Sequence, residues 1–248
     1  MSSMPDLSAA RRSINSRCDE DAGWRPLAEA VTAAEWNLRN SRPGYGDNDP
    51  AYDHVVLAFD IRPADVFDDV RQVIGPKRPD ANVCWCLSYR IPSRLNRELR
   101  GPKRGELVAE LCRRDPPPGV LAYDHGTPVG WAGVAPRAAL NSFARPNSKI
   151  PHVDNLPVWT VWCFRVRAGN RGRGIAHALL AGAVDFARSY GAPAIEGYPV
   201  DNRGERVDLT MAYVGTRSLF ERAEFSQVAH TDSVLDGHPR VLMRLDVR

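Results

Sequence analysis

The chain has 248 residues, of which 43% are hydrophobic and 25% charged, and a formal net charge of +3. These proportions exclude a fully disordered or fibrous chain, and a charge so close to zero gives no general case for nucleic-acid or membrane binding. No apolar run approaches a membrane span, and residues 1–15 hold no apolar core for a signal peptide. Five cysteines are too few for a disulfide scaffold, and the Cys84-x-Cys86 spacing lacks the further ligands of a zinc site, so the expectation is a cytoplasmic protein with no metal.

The first fifty residues differ from the rest. A polar, small-residue stretch precedes Trp24 to Leu38, where Leu27, Val31, Ala34 and Leu38 fall at helical spacing. Asn40 to Pro50 then packs together nearly every turn-forming residue type, which places a boundary near Ala51 and makes residues 1–50 an extension. Beyond it the pattern predicts a strand over His54–Ile61 and a helix over Pro63–Ile74. The odd cluster Cys84-Trp85-Cys86 comes next, followed by a helix over Lys103–Cys112. Strands at Val120–Tyr123 and Pro128–Val134 are joined by the hairpin residues Asp124-His125-Gly126. After a polar loop, Asn141 to Pro157, the pattern predicts a strand over Val158–Arg167, a helix over Gly174–Tyr190 and a strand over Pro193–Val200. A helix over Leu209–Ala223 and strands over Phe225–Ser233 and Arg240–Val247 close the chain. The order is mixed α/β.

The most informative stretch runs from Val166 to Leu180. A strand enters a turn containing Gly169, Gly172 and Gly174, and the turn opens directly into a helix. The start of a helix offers unpaired N–H groups and the positive end of its dipole, and glycines let an anion approach the backbone. Arg171 and Arg173 add fork-shaped donors suited to phosphate, and Arg165 and Arg167 bring four positive charges to one loop with no acid between them. The glycine spacing is not that of a dinucleotide fingerprint, and the Gly-Lys-Ser/Thr of a Walker loop is absent. Read from these residues alone, the stretch is either an anion loop or a tight strand-to-helix turn with solvated arginines.

The pattern Arg-x-x-Gly-x-Ala at Arg171 to Ala176, after a strand of form Phe164-x-Val166, resembles the acetyl-coenzyme A loop of the GCN5-related N-acetyltransferases, the GNAT family. The resemblance extends over about Val55 to Asp246 in element order. It also takes in Glu196-Gly-Tyr-Pro-Val-Asp201, Tyr213 to Phe225, the Cys84-Trp85-Cys86 segment and Pro117 to Trp131, which look like a bacterial subgroup of these enzymes. It implies an α/β (α+β) fold with a mixed sheet of about seven strands, splayed at the cofactor site and flanked by helices, over residues 51–248. It further implies transfer of acetyl from acetyl-CoA to a primary amine by direct attack in a ternary complex. The backbone of Phe164 and Val166 would bind the pantetheine arm. The N–H groups of Arg171, Gly172, Arg173, Gly174, Ile175 and Ala176 would hold the pyrophosphate.

The sequence departs from the family at the chemistry. Where the resemblance implies a tyrosine as general acid, this chain has Phe220. Tyr213, seven residues earlier, is the substitute acid, or else a tyrosine of the core or cofactor wall. Glu224 stands where the family has glycine; if the position is left-handed, this costs about 1 kcal/mol, and a different local turn is the expectation. For the base, Glu196 is the first candidate, with a structural carboxylate paired to a basic neighbour as its equal alternative. Asp201 and Asp154 follow, and His177 is read as exposed or beside the cofactor. Cys84 and Cys86, if extended, face one way and Trp85 the other. Cys163 could carry acetyl in a ping-pong scheme, although direct transfer is the family norm. Trp131, Trp159 and Trp162 are read as core by default. A cofactor sensor without efficient chemistry, and a transferase using a longer acyl-CoA, are the alternative functions. Neither the acceptor amine nor the oligomeric state is legible, although the extension is long enough to wrap a partner subunit in a homodimer.

Overall fold

The computed structural model describes residues 59–78, 80–144, 148–208 and 212–247. The extension over residues 1–50, with its helix at Trp24–Leu38, lies outside the described residues. Seven strands form one mixed sheet: β1 (Asp60–Pro63), β2 (Gly119–Asp124), β3 (Thr127–Pro136), β4 (Trp159–Val166), β5 (Ala194–Gly197), β6 (Ser226–Leu235) and β7 (His238–Asp246), in spatial order β1-β2-β3-β4-β5-β7-β6. Neighbours are antiparallel except β4 and β5, which run parallel and are joined by the crossover helix α4 (Ile175–Ser189).

Both faces of the sheet are covered. On one, Ile175, Leu179, Ala183 and Phe186 of α4 meet Val120, Ala132, Val161 and Phe164, as the helical spacing predicts. On the other, α1 (Phe67–Ile74) and α3 (Pro102–Cys112) pack Val70, Ile74, Leu107 and Leu111 over Leu121 and Trp131. The short helix α2 (Ser93–Glu98) was not predicted; its signal is the Arg94–Glu98 pair at helical spacing. Trp131, Trp159 and Trp162 are all buried, in accord with the core reading.

The edge that matters is shaped by an irregularity in β4. Val134 pairs with Val161 and Gly133 with Cys163, so Trp162 is an extra residue on β4. A bulge of this kind bends the strand that carries it and increases its twist. Up to the bulge β4 pairs with β5, Trp159 to Ile195 through Val161 to Gly197; past it, β4 stays with β3 as far as Val166 and its register with β5 ends. The two parallel strands therefore part at Val161 and Gly197.

Three predicted elements are shorter than the periodicity suggests. The helix over Pro63–Ile74 begins only at Phe67, and Pro63 ends β1. The strand over Pro193–Val200 is reduced to Ala194–Gly197, because β4 has turned away. The helix over Leu209–Ala223 resolves, within the described residues, into a 3-10 turn at Ala212–Val214 and a six-residue helix, α5 (Arg217–Arg222), separated by Gly215 at φ +82°. The expected change of turn at Glu224 is not found. Glu224 has φ +64°, and Phe225 N–H donates to Phe220 C=O (3.0 Å), the left-handed helix ending that glycine usually supplies. Replacing Glu224 with glycine removes the left-handed cost but loosens the unfolded chain. Glu224→Gly is expected to raise stability by up to about 1 kcal/mol, seen as a higher urea midpoint at unchanged slope.

Candidate active site

The site begins with the unpaired edge of β4. Arg167 N–H donates to Val129 C=O on β3 (2.9 Å). Alternate residues of a strand direct their backbone groups the same way, so Arg165 also faces β3. Phe164 and Val166 face the opposite side, where β5 has left. This is the placement the resemblance implies for both residues.

The strand leads into the glycine turn. Gly169, Gly172 and Gly174 have φ of +88°, +75° and +79°, a conformation in which side-chain-bearing residues are strained, and the space beside Gly169 and Gly172 is open. Gly174 is the N-cap of α4, and no side chain caps that helix. Its first N–H groups, with the positive end of a 15-residue helix, are aimed past an exposed Gly172. Arg171 is exposed beside them. The side chain of Arg173 behaves differently from the expectation. Its Nη1 donates to Asp124 Oδ2 (2.7 Å) and Asn170 Oδ1 (2.9 Å), and its guanidinium lies 5.4 Å from the Phe59 ring centroid. Arg173 thus ties the turn to the β2–β3 hairpin, and Arg167 does the same through Pro128 C=O (3.1 Å).

At the fork between β4 and β5 sits Phe220. It is fully buried, meets Phe164 edge-on (centroids 6.1 Å apart) and Phe225 (5.1 Å), and covers Gly197 so closely that a Cβ there would lie 2.1 Å from Phe220 Cε1. The residue that replaces the expected tyrosine is a wedge of packing. In the 3-10 turn before α5, Tyr213 hydroxyl lies 2.8 Å from Tyr89 hydroxyl, which in turn accepts from buried Arg240 Nη1 (3.3 Å). Burial, and then the neighbouring Tyr89, push the Tyr213 phenol well above its usual range, so it holds its proton throughout the neutral region. Tyr89 was not singled out from the sequence; nothing local marks a tyrosine that becomes relevant through a contact 124 residues away.

Glu196 is placed as the structural alternative had it. It is 0% exposed; Oε2 accepts from Arg137 Nη1 (3.0 Å) and Tyr198 hydroxyl (3.2 Å), while Oε1 lies 3.7 Å from Arg244 Nη1. A carboxylate that is fully buried beside two guanidinium groups in the paired part of the sheet is out of reach of an arriving amine, which corrects its reading as the base. Asp154 and Asp201 are also committed, to Arg244 (2.5 Å) and Arg217 (3.3 Å). For Asp154, burial works upward but is outweighed by the Leu156 N–H and Arg244, which hold its carboxyl below the usual range. His177 is half-buried rather than exposed, and burial together with Arg222 lowers its pKa.

The cysteine cluster is not extended. Trp85 and Cys86 have φ of +52° and +51°. Cys84 points outward, its Sγ 3.0 Å from Ser88 Oγ, while Cys86 points inward to Cys163 and Trp85 stacks on Phe67.

An open strand edge leading to an uncapped helix start is the candidate site. Residues 87–203 match the family model described as "Acetyltransferase (GNAT) family", and the chain carries a GNAT acetyltransferase domain. No curated protein sequence matches the chain. Among solved structures, it is similar to a crystallised acetyltransferase (19% identity, TM-score 0.48, 77% of this chain and 99% of that one). It is also similar to a chain of the NatC complex bound to Gag peptide and CoA (14%, 0.45, 77% and 99%). A third is histone acetyltransferase HPA2 and related acetyltransferase from Corynebacterium glutamicum (20%, 0.45, 77% and 97%).

Two outcomes follow from these side chains. Glu196→Gln leaves Arg137 and Arg244 buried without their shared charge, and is expected to cost about 3–5 kcal/mol in unfolding experiments. Tyr123, Tyr190, Tyr198 and Tyr213 are all pushed up, first by burial. A phenol raised in the folded state adds stability that is fully present below its unfolded value of about 10 and is lost as pH rises from there through the higher folded value. Absorbance titration is expected to show these four ionising only with unfolding above about pH 10.

Proposed function

We propose that the protein is an acetyl-CoA-dependent N-acetyltransferase that acts on a primary amine by direct transfer. The observation that carries this reading is the continuity of the β4 edge at Phe164 and Val166 with the uncapped start of α4. One offers backbone donors and acceptors suited to amides, the other a positive N–H cradle suited to a pyrophosphate. The residues fit the cosubstrate: Gly169 and Gly172 leave the cradle open, and Arg171 adds an exposed guanidinium at its rim. Acetyl-CoA supplies an acyl group activated as a thioester. The chain's part is to align that thioester with the amine and provide a proton to the departing sulfur.

Tyr213 is the residue for that proton. Its phenol is protonated at neutral pH, and its partner Tyr89 takes a hydrogen bond from Arg240, so Tyr89 can donate to Tyr213 oxygen and leave the Tyr213 proton free. The candidate carboxylates are all engaged by arginines, so water is the acceptor of the amine proton. An open pocket of about 490 Å³ follows β5, lined by Asp201, Glu205 and Asp236 together with Arg203 and His238, and is a place for the acceptor.

Acetyl-CoA is expected to raise the melting temperature in a saturable way. Arg171→Glu should weaken its binding by about tenfold or more, since a charge-assisted contact becomes a repulsion. In a free-thiol release assay over an amine panel, Tyr213→Phe is expected to lower kcat by about a hundredfold with cofactor affinity unchanged. Tight binding with no thiol release on any amine would instead support a cofactor sensor.

A further inference from the structure

Two thiols that acetyl transfer does not use lie against each other. Cys86 Sγ and Cys163 Sγ are 2.6 Å apart, and the residues are 9% and 5% exposed. They join segments 77 residues apart in sequence, a loop packed on the sheet and the strand β4 itself.

The backbone on both sides is arranged to make this contact. Consecutive left-handed residues at Trp85 and Cys86 reverse the direction that simple alternation would give, so Cys86 turns inward while Cys84 stays at the surface. Such conformations persist only where surrounding contacts hold them. Here Trp85 is buried on Phe67, and Trp162 Nε1 donates to Cys86 C=O (3.2 Å). The same bulge that parts β4 from β5 presents Cys163 on the face that meets the loop, one residue before Phe164. The adjacent Cys86 thiol and burial keep the proton on Cys163; Cys86 lies on the covering loop and is the more exposed of the two, so it is the first to meet an oxidant.

We propose that Cys86 and Cys163 are a reversible dithiol, converted to a disulfide by a peroxide and returned to thiols by a low-molecular-weight thiol. Cys86, as thiolate, attacks one peroxide oxygen. The O–O bond breaks, the departing hydroxide takes up the thiol's proton as water, and Cys86 becomes a sulfenic acid. Cys163 sulfur, losing its proton, then attacks Cys86 sulfur; the S–O bond breaks and a second water leaves. In sum, two thiols lose two electrons and two protons to one peroxide, which yields two waters. Two external thiols reverse the step by exchange and leave as their own disulfide. The bond would pin the Cys84–Ile91 segment to the strand that carries Phe164, whether or not a cofactor is bound.

The test uses the full-length, ligand-free protein, so its result does not depend on the acetyl-transfer reading. The protein is treated with hydrogen peroxide, remaining thiols are alkylated under denaturing conditions, and non-reduced peptides are mapped by mass. The expected product is one cross-linked peptide pair joining Cys86 to Cys163, about 2 Da lighter than its two reduced peptides together. Cys84 and Cys112 should remain alkylated, and dithiothreitol should restore both thiols. Cys84→Ser is expected to keep the link and Cys163→Ser to abolish it, but the wild-type map alone decides the matter. The proposal is overturned if every thiol is alkylated after peroxide. It is equally overturned if Cys86 links to Cys84 or Cys18 instead, or if oxidation ends at a sulfinic acid on either residue.

Discussion

A strand edge inside a protein carries backbone donors and acceptors that need partners, because burying them unpaired costs free energy comparable to a lost hydrogen bond. In this chain the edge is made on purpose. The extra residue at Trp162 bends β4 away from β5 while β3 continues to hold it, which leaves the backbone of Phe164 and Val166 facing a gap. A ligand with alternating amide donors and acceptors satisfies such an edge as another strand would. The glycine turn and the start of α4 then follow from the same geometry, since a strand that has turned out of the sheet must reverse sharply to bring the crossover helix back over it.

The fork between the strands also decides what can stand beside the chemistry. Gly197 lacks a side chain because the Phe220 ring occupies that space, and the ring is braced by Phe164 and Phe225. With phenylalanine at this point the packing is sealed, and the phenol proposed as the acid comes from the 3-10 turn before α5. Tyr213 is fixed there by Tyr89, and Tyr89 by Arg240, so its protonation depends on three segments at once. The carboxylates near the fork serve stability instead: Glu196 and Asp154 neutralise Arg137 and Arg244 within the sheet.

What was legible in the sequence was whatever a local pattern encodes. The apolar spacing Ile175, Leu179, Ala183, Phe186 and the three glycines before it carried the crossover helix and its anion cradle. Asp124-His125-Gly126 carried the hairpin. The same signal at Asp236-Gly237, both with positive φ, marks the β6–β7 turn, which the sequence reading passed over in favour of shorter strands. Long-range pairing was not legible. The bulge at Trp162 exists only as a register between β3 and β4, and Glu196 looked like a base because its two arginines lie 59 and 48 positions away. Arg173 looked like a phosphate ligand for the same reason, since Asp124 is 49 positions away. Glu224 shows the opposite case: the turn geometry was kept and the unfavourable residue tolerated, because tertiary contacts of Phe220 and Phe225 hold the helix end in place.

The most direct measurement is amide hydrogen exchange, resolved by residue, with and without acetyl-CoA. If the cosubstrate completes the open edge, the Phe164 and Val166 amides and those of Gly172 to Ala176 should slow by about tenfold or more on binding, as amides do when they gain a hydrogen-bonded partner. The Arg165 amide, already facing β3, should change little. Saturable binding that leaves Phe164 and Val166 exchanging at their ligand-free rates, with protection elsewhere, would contradict the account.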